Sequence, residues 1–434
     1  HLILINELNE TRIVRQLNKE AILDHIRKAL KGISRAEIAQ RLIVSRSTVS
    51  AIVDNLIETG LVLERGVGVS RGGRRPIVLE INPEAGRVIG IDIGASHLVI
   101  LVADLQGKII AETQQPLNIS LGPETCLEEV YQTVDLTLGE AKTTLAEVKA
   151  IGVGVPGPVI AAQGIVSAPP IMPGWDGFPI RQRLMEHWRK PVTLDNDADL
   201  GALGEWAFGG GQGESNLAYI KIGTGIGCGL VLDGKLYHGV LGTAGEIGHV
   251  TITQDGPPCS CGNYGCLEAM AGGRAIAQRA TLAVKAGQRT QLAEKGDPET
   301  ISAQDVALAA TQGDVVSQQL LSDAGRYIGS ALASLINLLN PSLVLIGGGV
   351  VGAGRYLFDP IQNAINEHTL RASLRATRIT IATLGQRSTA YGALWLALDR
   401  TFQDYNEGRW ERPQPNGAHQ APASAAQIAD TEPA

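Results

Sequence analysis

Three thiols and an imidazole lie close enough along this chain to hold a metal. His249 is followed after ten residues by Cys259, and Cys261 and Cys266 complete the group. One nitrogen and three sulfur ligands make a full tetrahedral zinc set with no position left open for water. The expected metal is therefore a structural Zn2+ that braces a loop. The alternative is a disulfide between two of the cysteines, or free core thiols, although Cys259 and Cys261 are too near for an easy unstrained bridge. Glu246 and Glu268 lie in the same stretch and are not needed by the metal. A metal-braced loop that presents acids fits a ligand site.

A second group of polar residues is Asp195, Asn196, Asp197 and Asp199, which follows an apolar strand start and precedes the helical run Leu200–Trp206. A carboxylate at a strand-to-helix junction, here Asp197, is placed to accept a proton from a hydroxyl, and its neighbours suit sugar hydroxyls. The same residues also favour helix capping, and both roles stand open on residue type alone.

The elements around these groups repeat. Ile91–Ala95, a strand, and Asp104–Lys108 match Ile220–Thr224, a strand, and Asp233–Lys235 at an offset of 129. Each reads as a strand, a glycine turn and a returning strand. Helix and strand patterns follow at Thr125–Thr144 and Val148–Val155, then at Ser322–Leu339 and Leu343–Ile346. A third glycine cluster, Gly347–Gly349, follows what reads as the last strand. This predicts two α/β lobes with a cleft between them, whose glycine turns offer backbone N–H groups to a phosphate chain.

The front of the chain has a different character. Residues 1–81 carry 13 Lys and Arg against 9 Asp and Glu, leaving 24 basic and 35 acidic residues in the rest. A basic front on an acidic body points to a nucleic-acid partner for the front alone. Ile22, Leu23, Ile26, Ala29 and Leu30 predict a first helix. Ser34 and Glu37 form a capping box for a second with Ile38, Ala39 and Leu42 inward. Ser45 caps a third, in which Val49, Ile52, Val53, Leu56 and Ile57 form one apolar stripe that stops at Gly60. Arg46, Ser47, Thr48 and Ser50 are left exposed at its N-terminal end, from which a recognition helix reads base edges. Strand-like runs Leu61–Arg65 and Pro76–Ile81 flank a glycine-rich loop carrying Arg71, Arg74 and Arg75, which can reach phosphates or a minor groove. The competing reading is a packing or oligomerisation module with a solvated basic loop.

A chain of 434 residues with 44% hydrophobic content supports more than one core. Cys126 and Cys228 are the only cysteines outside the cluster, which is no disulfide framework. The apolar start, His1–Ile5, is too short for a signal or membrane segment, and a soluble, cytoplasmic protein is expected. The chain opens on His1 rather than Met, so its natural start is expected further upstream.

Together these residues resemble the ROK family, and within it the sugar-responsive, xylose-repressor-like branch with an N-terminal winged helix. The resemblance runs from about Asn18 to about Leu398. It is most specific at Glu246, His249, Cys259, Cys261, Cys266 and Glu268. It implies that His249 and the three cysteines bind Zn2+ and that Asn196, Asp197, Glu246, His249 and Glu268 face the sugar. Asp197 matches the catalytic base of the family's kinases, and Gly154–Gly157 resembles the turn lining the sugar pocket. The nucleotide-phosphate set would comprise Asp92, Gly94, Ser96, Gly223, Thr224, Gly225 and Gly348. Here the chain departs from the kinase pattern: Ala95 and His97 replace a glycine and a lysine, and Cys228 stands for a glycine. The loop Pro169–Trp175 lacks an asparagine often seen in the family.

The resemblance implies a winged helix-turn-helix domain at 1–85 and a two-lobed, duplicated α/β domain of the actin/hexokinase, ribonuclease H-like kind. Its first lobe is expected at 86–200, its second, with the zinc loop, at 201–384, and a C-terminal helix at 385–402 returning to the first lobe. A disordered tail is expected over 403–434. The expected function is a transcriptional repressor of sugar metabolism that binds double-stranded operator DNA as a homodimer or higher homo-oligomer, with a sugar effector and no membrane partner. The alternative is a sugar kinase with Mg-ATP as donor, Asp197 as base and a DNA-binding appendage. A third reading is a scaffold with vestigial sites.

Overall fold

The computed structural model describes residues 2–29, 32–67, 77–167, 169 and 172–410, with backbone alone for 2–12. It divides into two compact units, residues 1–86 with 405–434, and residues 87–404.

In the first unit α1 (Leu2–Lys28), α2 (Arg35–Leu42) and α3 (Arg46–Glu58) precede the antiparallel hairpin of β2 (Val62–Val67) and β3 (Ile77–Ile81). A two-residue strand, β1 (Ile33–Ser34), pairs with β3 and gives the sheet the order β1-β3-β2. The helical spacing predicted from the sequence is that of the core, where Ile22, Leu23, Ile26, Val49, Val53 and Leu56 are buried. Ser34 and Glu37 exchange both bonds of a capping box, and the Ser45 hydroxyl accepts the Thr48 N–H at 3.1 Å. Three details differ from expectation. The first helix ends at Lys28, short of Ala29, with Leu30 outside the described residues; Leu42 and Ile57 are half-buried; and β1 is too short to leave a periodic signal.

The expectation of a disordered tail from residue 403 is corrected as far as Trp410. Helix α13 (Ser388–Asn406) runs past that point. Tyr405 belongs to the first unit, where its hydroxyl accepts from Thr59 Oγ1 at 3.2 Å and Lys19 Nζ sits 4.2 Å from its ring centre. Trp410 donates its Nε1 to the Thr59 carbonyl at 3.2 Å. Two aromatic anchors order a segment whose composition alone reads as coil.

The second unit holds two five-stranded sheets of matching design. The first has the order β10-β7-β4-β5-β6 and the second β13-β12-β11-β14-β15. The first comprises β4 (Arg87–Ile93), β5 (His97–Asp104), β6 (Ile109–Pro116), β7 (Val148–Val155) and β10 (Val192–Asn196). A small hairpin, β8 (Val159–Ile160) and β9 (Ile165–Val166), and helices α4 (Pro123–Glu140) and α5 (Ile180–Trp188) complete this lobe. The second sheet comprises β11 (Leu217–Ile222), β12 (Ile226–Leu232), β13 (Lys235–Leu236), β14 (Leu343–Gly347) and β15 (Arg378–Ile381). Its helices are α7 (Leu267–Ala271), α8 (Gly273–Lys285), α9 (Ala303–Thr311), α10 (Val315–Leu339), α11 (Arg355–His368) and α12 (Arg371–Ala376), and α6 (Asp197–Phe208) follows β10. In each sheet an antiparallel hairpin, β4/β5 or β11/β12, adds a parallel strand, β7 or β14. The repeat at an offset of 129 is therefore a repeat of structure. Gly347–Gly349 follows β14 and not the last strand, because β15, polar and largely exposed, lies beyond it.

Small residues let α13 lie directly on the first sheet. A Cβ on Gly152 of β7 would fall 1.8 Å from the Ala393 carbonyl, and one on Gly90 of β4 would fall 2.3 Å from that of Ala390. No helix among the described residues is long and apolar enough to cross a membrane.

Candidate functional site

Between the two lobes of the second unit lies a cavity of about 1030 Å3, and the strand ends and glycine turns of both sheets open onto it. Asn196, Asp197, Glu246, His249 and Glu268 all line it, as do Ser96, Gly223, Thr224, Gly225 and Gly348. Asp92 and Gly94 do not. Asp92 is fully buried and its Oδ2 lies 3.1 Å from His97 Nε2, while the His97 ring folds back to within 2.3 Å of where a Cβ on Gly94 would stand. Gly94 is thus covered by the imidazole that replaces the kinase lysine, while Ala95 and Ser96 of the same turn line the cavity. This corrects the expectation that Asp92 and Gly94 face a phosphate.

Asp197, the first residue of α6, is met by a partner that sequence reasoning missed. Lys221 of β11 places its Nζ 2.8 Å from Asp197 Oδ2 and 3.2 Å from Thr389 Oγ1 on α13. Its side chain is 15% exposed, so this is a largely desolvated pair. Burial alone would push the Lys221 ammonium down, but Asp197 and Asp92 outweigh it and hold it above its ordinary value. Burial likewise works to raise Asp92, yet the charges of Lys221 and His97 hold it below the carboxylate range. The signal in the sequence is a single lysine inside the apolar strand Leu217–Ile222.

The two readings of the acidic segment fall on different residues. Asn196 caps α6, its Oδ1 accepting the N–H groups of Ala198 and Asp199, and its Nδ2 donates to the Gly157 carbonyl at 2.7 Å. Asp197 faces the cleft. Glu268, at the start of α7, accepts the Ile226 N–H at 3.0 Å through Oε2. A Cβ on Gly225 would come within 2.0 Å of that same oxygen. Gly225→Ala is therefore expected to swing Glu268 out of place and weaken ligand binding by about tenfold, the cost of one charged hydrogen bond, without unfolding the protein. Calorimetric titration beside a thermal melt checks this, and unchanged affinity contradicts it. Glu246 is pushed above its ordinary value by burial, with His249 opposing and Glu268 and Asp197 adding to the shift.

The four candidate metal ligands converge. His249, Cys259, Cys261 and Cys266 bring one ligand atom each within 4.8 Å of one another, and all five cysteines of the chain are free. Cys259 Sγ stands 3.6 Å from His249 Nδ1, and Cys261 Sγ stands 3.7 Å from Cys266 Sγ. A tetrahedron with Zn–S bonds of about 2.3 Å has edges of about 3.7 Å, so the donor set fits. Burial opposes ionisation of Cys261, but the Asn263 N–H and the neighbouring thiols lower it to about 7, toward the thiolate a metal requires. The other ring nitrogen, His249 Nε2, lies 3.8 Å from Glu246 Oε2 on the cleft side.

In the first unit, Arg46 and Ser47 are exposed at the start of α3, whereas Thr48 and Ser50 are half-buried. Thr48 is drawn inward by the cap, its Oγ1 lying 2.7 Å from Ser45 Oγ. Arg71, Arg74 and Arg75 lie outside the described residues.

Comparison with known proteins gives two family matches. The ROK family model matches residues 88–400, and a winged helix-turn-helix DNA-binding model matches residues 16–62. The xylose repressor of Caldicellulosiruptor bescii is 32% identical over 395 residues, covering 91% of this chain and 98% of that protein. A glucokinase of Halalkalibacterium halodurans is 35% identical over 310 residues, covering 71% of this chain and 94% of its own length. The crystal structure of a ROK family transcriptional regulator, a homolog of the E. coli MLC protein, superposes with a TM-score of 0.77 at 29% identity, covering 91% of this chain and 98% of that one.

Proposed function

The chain belongs to the ROK family, and from that premise we propose that it is a transcriptional repressor, acting as a homodimer on operator DNA, whose DNA affinity is set by a sugar held between its lobes. The observation that carries this reading over the kinase is the bond from Lys221 to Asp197. A general base must take the proton of the sugar hydroxyl as phosphate is transferred. Here that carboxylate already carries an ammonium, and Gly94 of the turn that would approach a phosphate lies under His97. Ala95 and Cys228, in place of the glycines of the kinase pattern, line the same cleft. The front unit points the same way, since repressor relatives span 91% of the chain and the glucokinase 71%. Phosphoryl transfer, with Mg-ATP as donor, is the second reading, favoured by the retention of Asp197 itself.

In this reading Asp197, Glu246 and Glu268 accept hydrogen bonds from the sugar's hydroxyls, and Asn196 holds the turn at Gly157 against them. Zn2+ on His249, Cys259, Cys261 and Cys266 supplies structural bracing. His249 Nδ1 lies on the side of Cys259 and would hold the metal, which would leave Nε2 as a donor toward Glu246 and the sugar. D-xylose is the first candidate, given the relatives that carry its name. Arg46 and Ser47, with Arg71, Arg74 and Arg75, meet the DNA.

Coupling has a physical route. The chain passes between the two units at Gly86–Arg87 and at Asp404–Tyr405. These passages are continuous with β4 and α13, which pack backbone to backbone at Gly90 and Ala390. A sugar that binds one lobe arrangement better than another shifts both connections together, and by no more than its differential affinity. Half-site spacing in a dimer is strict enough for such a shift to matter.

The test is calorimetric titration with a sugar panel beside an ATP-coupled kinase assay. Saturable binding of one sugar with no ATP turnover is expected. Sugar-dependent turnover that Asp197→Asn abolishes in a folded protein would instead establish the kinase.

A further inference from the structure

One further group of ligand atoms converges outside the cysteine cluster. Asp195 in β10, Asp199 in the first turn of α6 and His238 after β13 each bring one such atom within 4.8 Å of the others. The cap that Asn196 forms between strand and helix is what folds the two carboxylates onto one point. Asp195 accepts the Asn196 N–H through Oδ1, which leaves Oδ2 facing His238 Nε2 at 2.8 Å. Asp199 is 2% exposed, and its Oδ1 is buried with no hydrogen-bond partner. A desolvated carboxylate oxygen without a donor is costly and calls for a cation or a proton. Burial, Asp195, Glu246 and Asp197 all disfavour a charge on Asp199, and His238 opposes them.

We propose that Asp195, Asp199 and His238 form a second metal site, for a divalent first-row transition ion, at the wall of the cleft. One imidazole and two carboxylates suit Zn2+, Mn2+ or Co2+, with none of the thiolate character of the cysteine site. Three protein ligands leave a fourth position for water or a ligand oxygen. Asp199 is among the residues that line the cavity, which puts the proposed site at its edge. The site stands on its own geometry and does not depend on the regulator reading.

The probe is Co2+ added to the full-length protein stripped of metal. Thiolate-bound cobalt has a sulfur-to-metal charge-transfer band, and a nitrogen and oxygen site has none. Wild-type protein is expected to hold two Co2+ per chain at equilibrium dialysis, with the band complete after the first or second. Asp199→Asn and His238→Ala should each hold one Co2+ with the band undiminished, whereas Cys261→Ser should lose the band and keep the second ion. The His238 side chain is 39% exposed, so its removal reads the site even if Asp199→Asn fails to fold. A single Co2+ per chain in the wild type, or an unchanged count in His238→Ala, overturns the proposal.

Discussion

Replacing Lys221 with methionine is expected to destabilise the protein by about 3–5 kcal/mol, because it strips the charge from a buried pair, leaving Asp197 unpaired and Asp92 with His97 alone. Methionine keeps much of the apolar stem, so lost packing contributes little. The double variant Lys221→Met with Asp197→Asn should recover much of the loss, since neither partner is then left as an unpaired charge. Chemical denaturation followed by tryptophan fluorescence measures all three. A single variant within about 0.5 kcal/mol of wild type contradicts the account, since that is the range of an inert surface change. Acid sharpens the test. Asp92 is held below its ordinary value of 3.8, so its contribution is present above that pH and lost as pH falls through the lower folded value. Lys221→Met should therefore partly flatten the acid limb of the stability curve, because Lys221, the first of the groups that lower Asp92, is gone while His97 remains.

Cys266→Ser is expected to remove the metal from the cysteine site and lower sugar affinity by at least about 100-fold. Cys266 is buried, and the segment around it is held by backbone pairing of Thr251 with Cys266 and of Pro258 with Tyr264. A metal held by these four residues would join this segment to His249, and thereby fix Glu246 on one side and Glu268 on the other. Hydrogen bonds to charged groups are worth about 1.5–3 kcal/mol each, so loosening two carboxylates removes two or more decades of affinity. Metal analysis and calorimetry on the same preparation check both halves. Full sugar affinity in the protein lacking that metal contradicts the bracing role.

Much of the architecture was legible in the sequence because it follows from local rules. Ser34 with Glu37 and Ser45 with Thr48 are short-range caps, and they mark the helix starts that the structure has. The two glycine hairpins repeat because both lobes solve one problem, the return of a strand beside a cleft. What stayed hidden depends on distant partners. Lys221 reads as one odd residue in an apolar strand until Asp197, 24 positions earlier, and Thr389, 168 positions later, are brought to it. His97 reads as a lost cation, and only the fold shows it covering Gly94. Tyr405 and Trp410 look like part of a low-complexity tail because their contacts lie with Lys19 and Thr59, far back in the chain. Asp199 passes for a cap residue beside Asn196, and its unpartnered oxygen has no signature in one dimension.

The central claim is that sugar in the cleft governs DNA binding by the front unit, and fluorescence anisotropy tests it most directly. Labelled DNA from upstream of the protein's own coding region is titrated at one fixed salt, because phosphate contacts make affinity steeply salt-dependent. The titration is repeated with D-xylose and a panel of other sugars. The account predicts specific binding whose Kd one sugar shifts by at least about tenfold, a coupling of about 1.4 kcal/mol. The same Kd with every sugar, including one shown by calorimetry to occupy the cleft, would contradict it.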